Sequence, residues 1–304
     1  MKSGCILIDK PAGFTSFDVV AKLRGMLHEK KIGHNGTLDP DATGLLEVFI
    51  GRGTKAVPLL SDHDKTYRAV LRLGLKTDTE DLSGRVLSDV TDRAMEVSEE
   101  SIREAFSLIK EQKSQIPPMY SAKKIGGKKL YELARQGQVI ERKAVPIEIY
   151  ELTIEEIRLP EVVFTAHVSK GTFIRTICSD IGEKLGVGGC MASLRRTKIG
   201  QVDVNYAYRL EDLQELADQG RVEEALIPLD QIFPYPKAFV LPKADRYLKN
   251  GNPVYAEEVL FFPGSWDGNA KDNRILLYLS DQVTFAGIFE KKASVYRAVK
   301  MFLE

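Results

Sequence analysis

Gly33-His34-Asn35-Gly36-Thr37-Leu38-Asp39-Pro40-Asp41-Ala42-Thr43-Gly44-Leu45 sets three glycines, one proline and five short polar side chains in thirteen residues. Such a density of turn formers marks a tight loop. Pro40 confines Asp39 to extended backbone conformations, so the Asp39 carboxylate is held in one direction instead of turning with a helix. Read alone, the segment is a surface Asx-Pro turn.

Working outward toward the N-terminus, Cys5 to Ile8 reads as a strand, Pro11-Ala12-Gly13 as a turn, and Thr15 as the cap of a helix with Asp18 completing a capping box. Val19, Val20, Leu23 and Leu27 fall on the core face of that helix. On the other side, Thr66 to Leu73 alternates Tyr67, Ala69, Leu71 and Leu73 with Arg68, Val70 and Arg72, the period of a half-buried strand with Tyr67 facing inward. Ile102, Ala105, Phe106 and Ile109 recur at helical spacing after Ser98, and Glu148–Arg158 and Glu161–Ser169 read as strands joined at Pro160. Phe173, Ile174, Ile177, Ile181 and Leu185 mark a buried helix ended by Gly186. Pro228, Pro234 and Pro236 interrupt all periodicity between 227 and 240, which places a domain boundary there and predicts few core contacts across it. Residues 241–304 carry short apolar runs separated by polar residues and glycine, as in a small β-barrel. No internal repeat is visible.

With 304 residues, 43% apolar and 28% charged, the chain has the composition of an ordinary globular protein of about two domains. No apolar run approaches the length of a membrane span and the first ten residues lack a secretory pattern, so the expected location is the cytoplasm. Cys5, Cys178 and Cys190 have neither disulfide nor zinc spacing, and neither metal nor cofactor is expected. The formal net charge is zero, but it is unevenly spread. Tyr120–Val145 holds seven basic residues against two acidic, and Val168–Gly200 six against two, whereas acidic residues crowd between Asp78 and Glu100. Such runs are usually solvated faces.

Several phrases in order turn these fragments into one reading. The Gly33–Leu45 loop resembles the active-site motif of the TruB family of tRNA pseudouridine synthases. Lys10-Pro11-Ala12-Gly13-Phe14-Thr15-Ser16, Lys65-Thr66-Tyr67 with Thr77-Asp78-Thr79, Pro117 to Ala122 with Gly127 to Arg135, and Ser169 to Arg175 with Leu194-Arg195-Arg196 are similar to the same family, over residues 4 to about 230. The resemblance implies an α+β pseudouridine synthase fold, a mixed and largely antiparallel sheet flanked by helices, in residues 1–232. It also implies a PUA-like barrel over 237–304, for which the likeness is weak.

The implied activity is isomerisation of uridine to pseudouridine at position 55 in the T loop of tRNA, on a flipped-out base and without cofactor. By the same resemblance Asp39 is the catalytic nucleophile, Arg175 pairs with it in a two-point contact and keeps it charged, and Tyr67 stacks on the target base and assists removal of the C5 proton. His34 would enter the T loop where bases have left, Leu194 would wall the uracil pocket, and Lys10 would contact substrate. Lys123, Lys128 and Lys129 belong to a basic insertion, about residues 120–145, that would track phosphates of the tRNA stem-loop, while the C-terminal domain would reach the acceptor stem. Asn35, Glu47, Val168 and Phe173 depart from the residues common in the family, and Phe173 lacks a hydroxyl near Arg175. Two other readings are a tRNA-folding chaperone with secondary or lost catalysis, and the catalytic subunit of a guide-RNA complex; intact Asp39, Tyr67 and Arg175 argue against the first. For the second, no long basic tail or docking extension is seen, and neither a membrane nor an obligate protein partner is expected.

Overall fold

The computed structural model describes residues 3–121, 124–125, 127–136, 138, 140–265 and 273–303, with backbone only for 124, 125, 128, 129, 132 and 135. Strand β1 (Gly4–Lys10) is apolar on both faces from Cys5 to Ile8, where both are covered. Ile6 and Ile8 pack on Val19, Val20 and Leu23 of helix α1 (Ser16–Leu27), while Cys5 and Leu7 face a second cluster on the opposite side. Thr15 and Asp18 form the expected capping box at the start of α1.

Strands β2 (Ile32–Asn35) and β3 (Thr43–Ile50) form a hairpin whose connection holds Asp39. β4 (Lys65–Leu73) buries Ala69, Leu71 and Leu73, on the alternation read from the sequence, against helix α2 (Glu99–Lys110). The next two strands, β5 (Ile149–Arg158) and β6 (Glu161–Val168), turn at a cis Leu159–Pro160 bond. Helix α3 (Ile174–Lys184) follows, then β7 (Gly189–Ile199) and the short β8 (Ile227–Pro228). The sheet runs β5-β6-β4-β7-β3-β1-β8, with β2 added on β3 and a short strand 202–203 on β7. Neighbours are antiparallel except at β7 and β3, where Arg195 lies beside Thr43 and Arg196 beside Gly44. Gly44 has φ +103°, and a Cβ there would lie 2.2 Å from the Arg196 carbonyl oxygen, so this seam admits only glycine. The Asp39 loop therefore rises at the junction between the two halves of the sheet.

Six further strands form the C-terminal sheet: β9 (Lys237–Val240), β10 (Val254–Tyr255), β11 (Val259–Phe261), β12 (Arg274–Tyr278), β13 (Phe285–Lys292) and β14 (Val295–Met301). Their order is β10-β14-β13-β12-β9-β11. The proline-rich connection does not separate two independent cores. Leu276, Tyr278, Ile288 and Phe302 share one buried cluster with Cys5, Leu7, Leu45 and Phe49. The second apolar face of β1 and β3 needs a cover, and the C-terminal sheet supplies it. Polar contacts reinforce this joint: Arg52 donates to the Phe302 carbonyl at 3.0 Å, and Asp230 accepts from Lys237 Nζ and Tyr278 OH, each at 2.6 Å. Among the described residues no helix is long and apolar enough to cross a membrane.

Candidate active site

Buried donors fix the Gly36–Ala42 loop by its carbonyl groups. Ser16 Oγ donates to the Leu38 carbonyl at 3.3 Å and accepts from the Leu38 amide at 2.9 Å. Lys10 Nζ donates to the carbonyls of Pro11, Phe14 and Pro40 at 2.8, 2.5 and 2.9 Å. Arg196 donates from Nε to Leu45 at 2.7 Å and from Nη2 to Gly36 at 3.1 Å, bracing both arms of the loop. The backbone of Asp39 is thereby held from three sides, and its side chain projects into a cavity of about 580 Å³. That volume is in the range of small-molecule sites.

Lys10 is thus a correction to the sequence reading. Its side chain is fully buried and its three ammonium donors are all spent on carbonyls, so it positions the loop instead of contacting substrate. Strand periodicity contained the signal, since residues 6, 8 and 10 of β1 share a face and all three are buried.

Arg175 enters from the first turn of α3. The residue ahead of that helix is anchored by Gln115, which donates to the Phe173 carbonyl at 3.0 Å and accepts from the Phe173 amide at 2.8 Å. The guanidinium is nearly buried, 7% exposed, and divides its donors. Nε faces Asp39 Oδ2 at 3.3 Å, Nη1 donates to Asp81 Oδ2 at 3.2 Å and to the Thr79 carbonyl at 3.1 Å, and Nη2 donates to the Tyr120 carbonyl at 2.7 Å. The expected pairing of Arg175 with Asp39 is present, but as a one-point contact shared with a second carboxylate. Asp81 was not singled out from the sequence, where it sits in an acidic window that reads as solvated surface.

Burial raises the carboxyl pKa of Asp39 above its ordinary value of 3.8; Arg175 and Lys10 oppose the shift, while Asp81 and Asp41 add to it. Arg175 therefore limits the effect of desolvation without cancelling it. Tyr67 and Leu194, on the adjacent strands β4 and β7, line the same cavity, as do Lys65, Phe173 and Arg196. These side chains make a pocket with apolar walls, a carboxylate and several cations. Such a pocket suits a flat polar ring carried on an anionic backbone. His34 lies outside the lining; its pKa is lowered by burial and by Arg196, so the ring is held neutral. At the rim, Asp62 pairs with Lys170 and Asp64 with His167, tying the turn before β4 to the end of β6. Lys123 lies outside the described residues, and Lys128 and Lys129 are described only as backbone, in a short strand 128–129.

Residues 24–174 match the TruB family pseudouridylate synthase (N terminal domain), and residues 175–234 the tRNA pseudouridylate synthase B C-terminal domain. A tRNA pseudouridine synthase B of Lachnoclostridium phytofermentans is 44% identical, over 99% of this chain and 100% of that protein. One of Clostridium tetani is 39% identical over the same shares, and one of Alkaliphilus oremlandii is 47% identical over 85% of each. Among solved structures, a chain of an H/ACA RNP bound to a substrate RNA containing 2'-deoxyuridine superposes with a TM-score of 0.70 at 22% identity, covering 99% of this chain and 85% of that one. A chain of a Cbf5-Nop10-Gar1 complex does so at 0.70 and 24%, with the same coverage. Both likenesses bear on the fold, including its PUA-like C-terminal sheet.

Proposed function

The chain belongs to the TruB family of pseudouridine synthases, and we propose that it isomerises uridine to pseudouridine at position 55 in the T loop of tRNA, in the cytoplasm. The observation that carries the assignment of chemistry is Asp39: its side chain is 43% exposed at the end of a rigid loop, beside a buried guanidinium and a tyrosine, in a cavity fit for one base. A base can reach that cavity only after leaving its stack, at a cost of a few kcal/mol that is lowest in an irregular loop.

In the reaction the Asp39 carboxylate bonds to C1′ as the N1–C1′ glycosidic bond breaks and its electron pair leaves on N1, the uracil turns, C5 bonds to C1′ as the carboxylate is displaced, and C5 loses its proton while N1 takes one up. Ionised Asp39 serves as nucleophile and Arg175 holds its Oδ2, leaving the rest of the carboxylate available. Tyr67 stacks on the uracil and assists removal of the C5 proton, its hydroxyl passing on one proton as it takes the other, and Leu194 forms an apolar wall. His34, neutral and half-buried at the foot of the loop, replaces bases in the emptied T loop. Lys123, Lys128 and Lys129 contact phosphates of the stem-loop, and the C-terminal sheet touches the acceptor stem.

The test uses purified protein alone and unmodified tRNA carrying tritium at uridine C5. Tritium release by wild type, lost in Asp39→Asn while tRNA binding persists, is the expected result. Binding without release by wild type would favour a folding chaperone, and a requirement for an added guide RNA would favour a guided enzyme.

A further inference from the structure

Asn35 and Glu47 sit opposite one another on β2 and β3, the two arms of the Asp39 loop. They are 2% and 3% exposed. Asn35 Nδ2 donates to Glu47 Oε2 at 2.8 Å and to the Leu60 carbonyl at 3.1 Å. A carboxylate so deeply buried is costly unless partnered, and an amide alone does not balance its charge. Two buried cations complete the arrangement. Arg196, 1% exposed, donates to the carbonyls of Gly36 and Leu45, while Lys65, 8% exposed, donates to the carbonyls of Ser61 and His63. Carbonyl oxygens satisfy donors but leave the positive charges uncompensated.

We propose that Glu47, fixed by Asn35, is a positioning residue for the Asp39 loop, the buried counter-charge that keeps Arg196 and Lys65 in place beneath it. This rests on the reading of Asp39 as the nucleophile. The two residues meet as a pair across the hairpin that carries the Asp39 loop. Among the described residues Glu47 makes no ion pair with Arg196 or Lys65; its charge acts on them across the buried layer and offsets part of the cost of burying Arg196 where it braces Gly36 and Leu45. Burial raises the Glu47 carboxyl pKa, and the Asn35 hydrogen bond with His63 from the turn before β4, Arg196 from β7 and Lys65 from β4 oppose that shift; Cys5 from β1 is the remaining titratable neighbour. Glu47 favours the protonated form of Lys65, as do Asp64 and Asp62, whereas burial and Arg196 oppose it.

The experiment measures kcat and KM for tritium release by the full chain, well below every melting temperature, in wild type, Asn35→Ala, Glu47→Gln, the double variant and Glu47→Asp. A displaced loop should lower kcat in Glu47→Gln by about tenfold or more with KM for tRNA little changed, because the geometry of attack is lost while the RNA surface remains. Glu47→Asp should recover part of that loss. The double variant should be no worse than Glu47→Gln, since the two side chains act as one unit. The alkaline limb of kcat should move to lower pH in Glu47→Gln, a charge effect that loss of packing would not produce.

Wild-type kcat in Glu47→Gln, or losses that simply multiply in the double variant, would overturn the proposal. If Glu47→Gln does not fold, Asn35→Ala and Glu47→Asp decide: lowered kcat with unaltered KM supports the role, and wild-type kcat in both removes it. An Asp39→Asn control that still turns over would instead sink the reading beneath it.

Discussion

Asp39 and Asp81 both lie on loops and both face Arg175, at 3.3 Å and 3.2 Å, yet they are built into the protein differently. Asp81 is 16% exposed. Its Oδ1 accepts from Thr79 Oγ1 at 2.7 Å, Ser83 N at 3.0 Å and Ser83 Oγ at 2.5 Å. Among the described residues Asp39 has no hydrogen bond to its carboxylate beyond the contact with Arg175, and nearly half of its surface is open. The same side chain serves as a saturated buttress in one loop and as an available nucleophile in the other. What separates them is the supply of donors, since a carboxylate covered by hydrogen bonds is stabilised as the anion and made less reactive. The loops differ accordingly: the Asp39 loop is braced through its main chain by Ser16, Lys10 and Arg196, which leaves its acidic side chain uncommitted.

The strongest test of that contrast sets Asp39→Asn against Asp81→Asn. The first should reduce tritium release to background with tRNA affinity retained, because an amide is a far poorer nucleophile. The second should leave measurable turnover. Equal losses in both would erase the distinction drawn between the two carboxylates.

Arg175→Lys should rank next, with kcat about 10² to 10³ lower, comparable to removing one preorganised electrostatic contact in other enzymes. A single ammonium cannot reach Asp39, Asp81 and the carbonyls of Thr79 and Tyr120 together, whereas the planar fork does. Near-normal kcat in this variant would show that bridging the two carboxylates is not needed.

Sequence periodicity revealed the elements around the site more readily than the contacts within it. The β4 alternation, the helical spacing after Ser98 and the capping box at Thr15 are local patterns, and each is present. Asp39, Tyr67, Leu194 and Arg175, far apart in the chain, line one cavity. Asp81 escaped because an aspartate among acidic neighbours looks solvated, and only the approach of α3 brings a guanidinium to it. Lys10 was misread because a lysine in a family motif suggests a ligand contact, while its strand register already turned it inward. The shared core with the C-terminal sheet was hidden for a different reason: prolines report backbone irregularity and carry no information about what packs across the gap. Leu45 and Phe49 lie on the same strand that leads from the Asp39 loop into that core.

Asp81→Asn also sharpens the electrostatic side of the comparison. Asp39 must be ionised to attack, so kcat/KM should fall as pH drops through its pKa, at a value above the ordinary 3.8 because burial raises it. Asp81 contributes to that elevation, so its neutral replacement should move the acid limb to lower pH while lowering kcat by about tenfold or more through the loosened Arg175. A limb that moves to higher pH would contradict the arrangement of charges.

The smallest effect is expected from Ser83→Ala, which touches neither Arg175 nor Asp39. It deletes one of the three hydrogen bonds on Asp81 Oδ1 and leaves those from Thr79 Oγ1 and the Ser83 amide. Ser83 is exposed, so water can take the place of its hydroxyl, and the loss of stability should be about 1 kcal/mol or less. Asp81 Oδ2 still receives Arg175, so kcat should fall by less than about threefold and the acid limb should stay where it is in wild type. Thermal melting and the pH profile of tritium release, measured on the same preparation, check both expectations. A loss as large as that of Asp81→Asn would mean that Asp81 depends on the Ser83 hydroxyl for its place, and that the buttress is no better fixed than the nucleophile it stands beside.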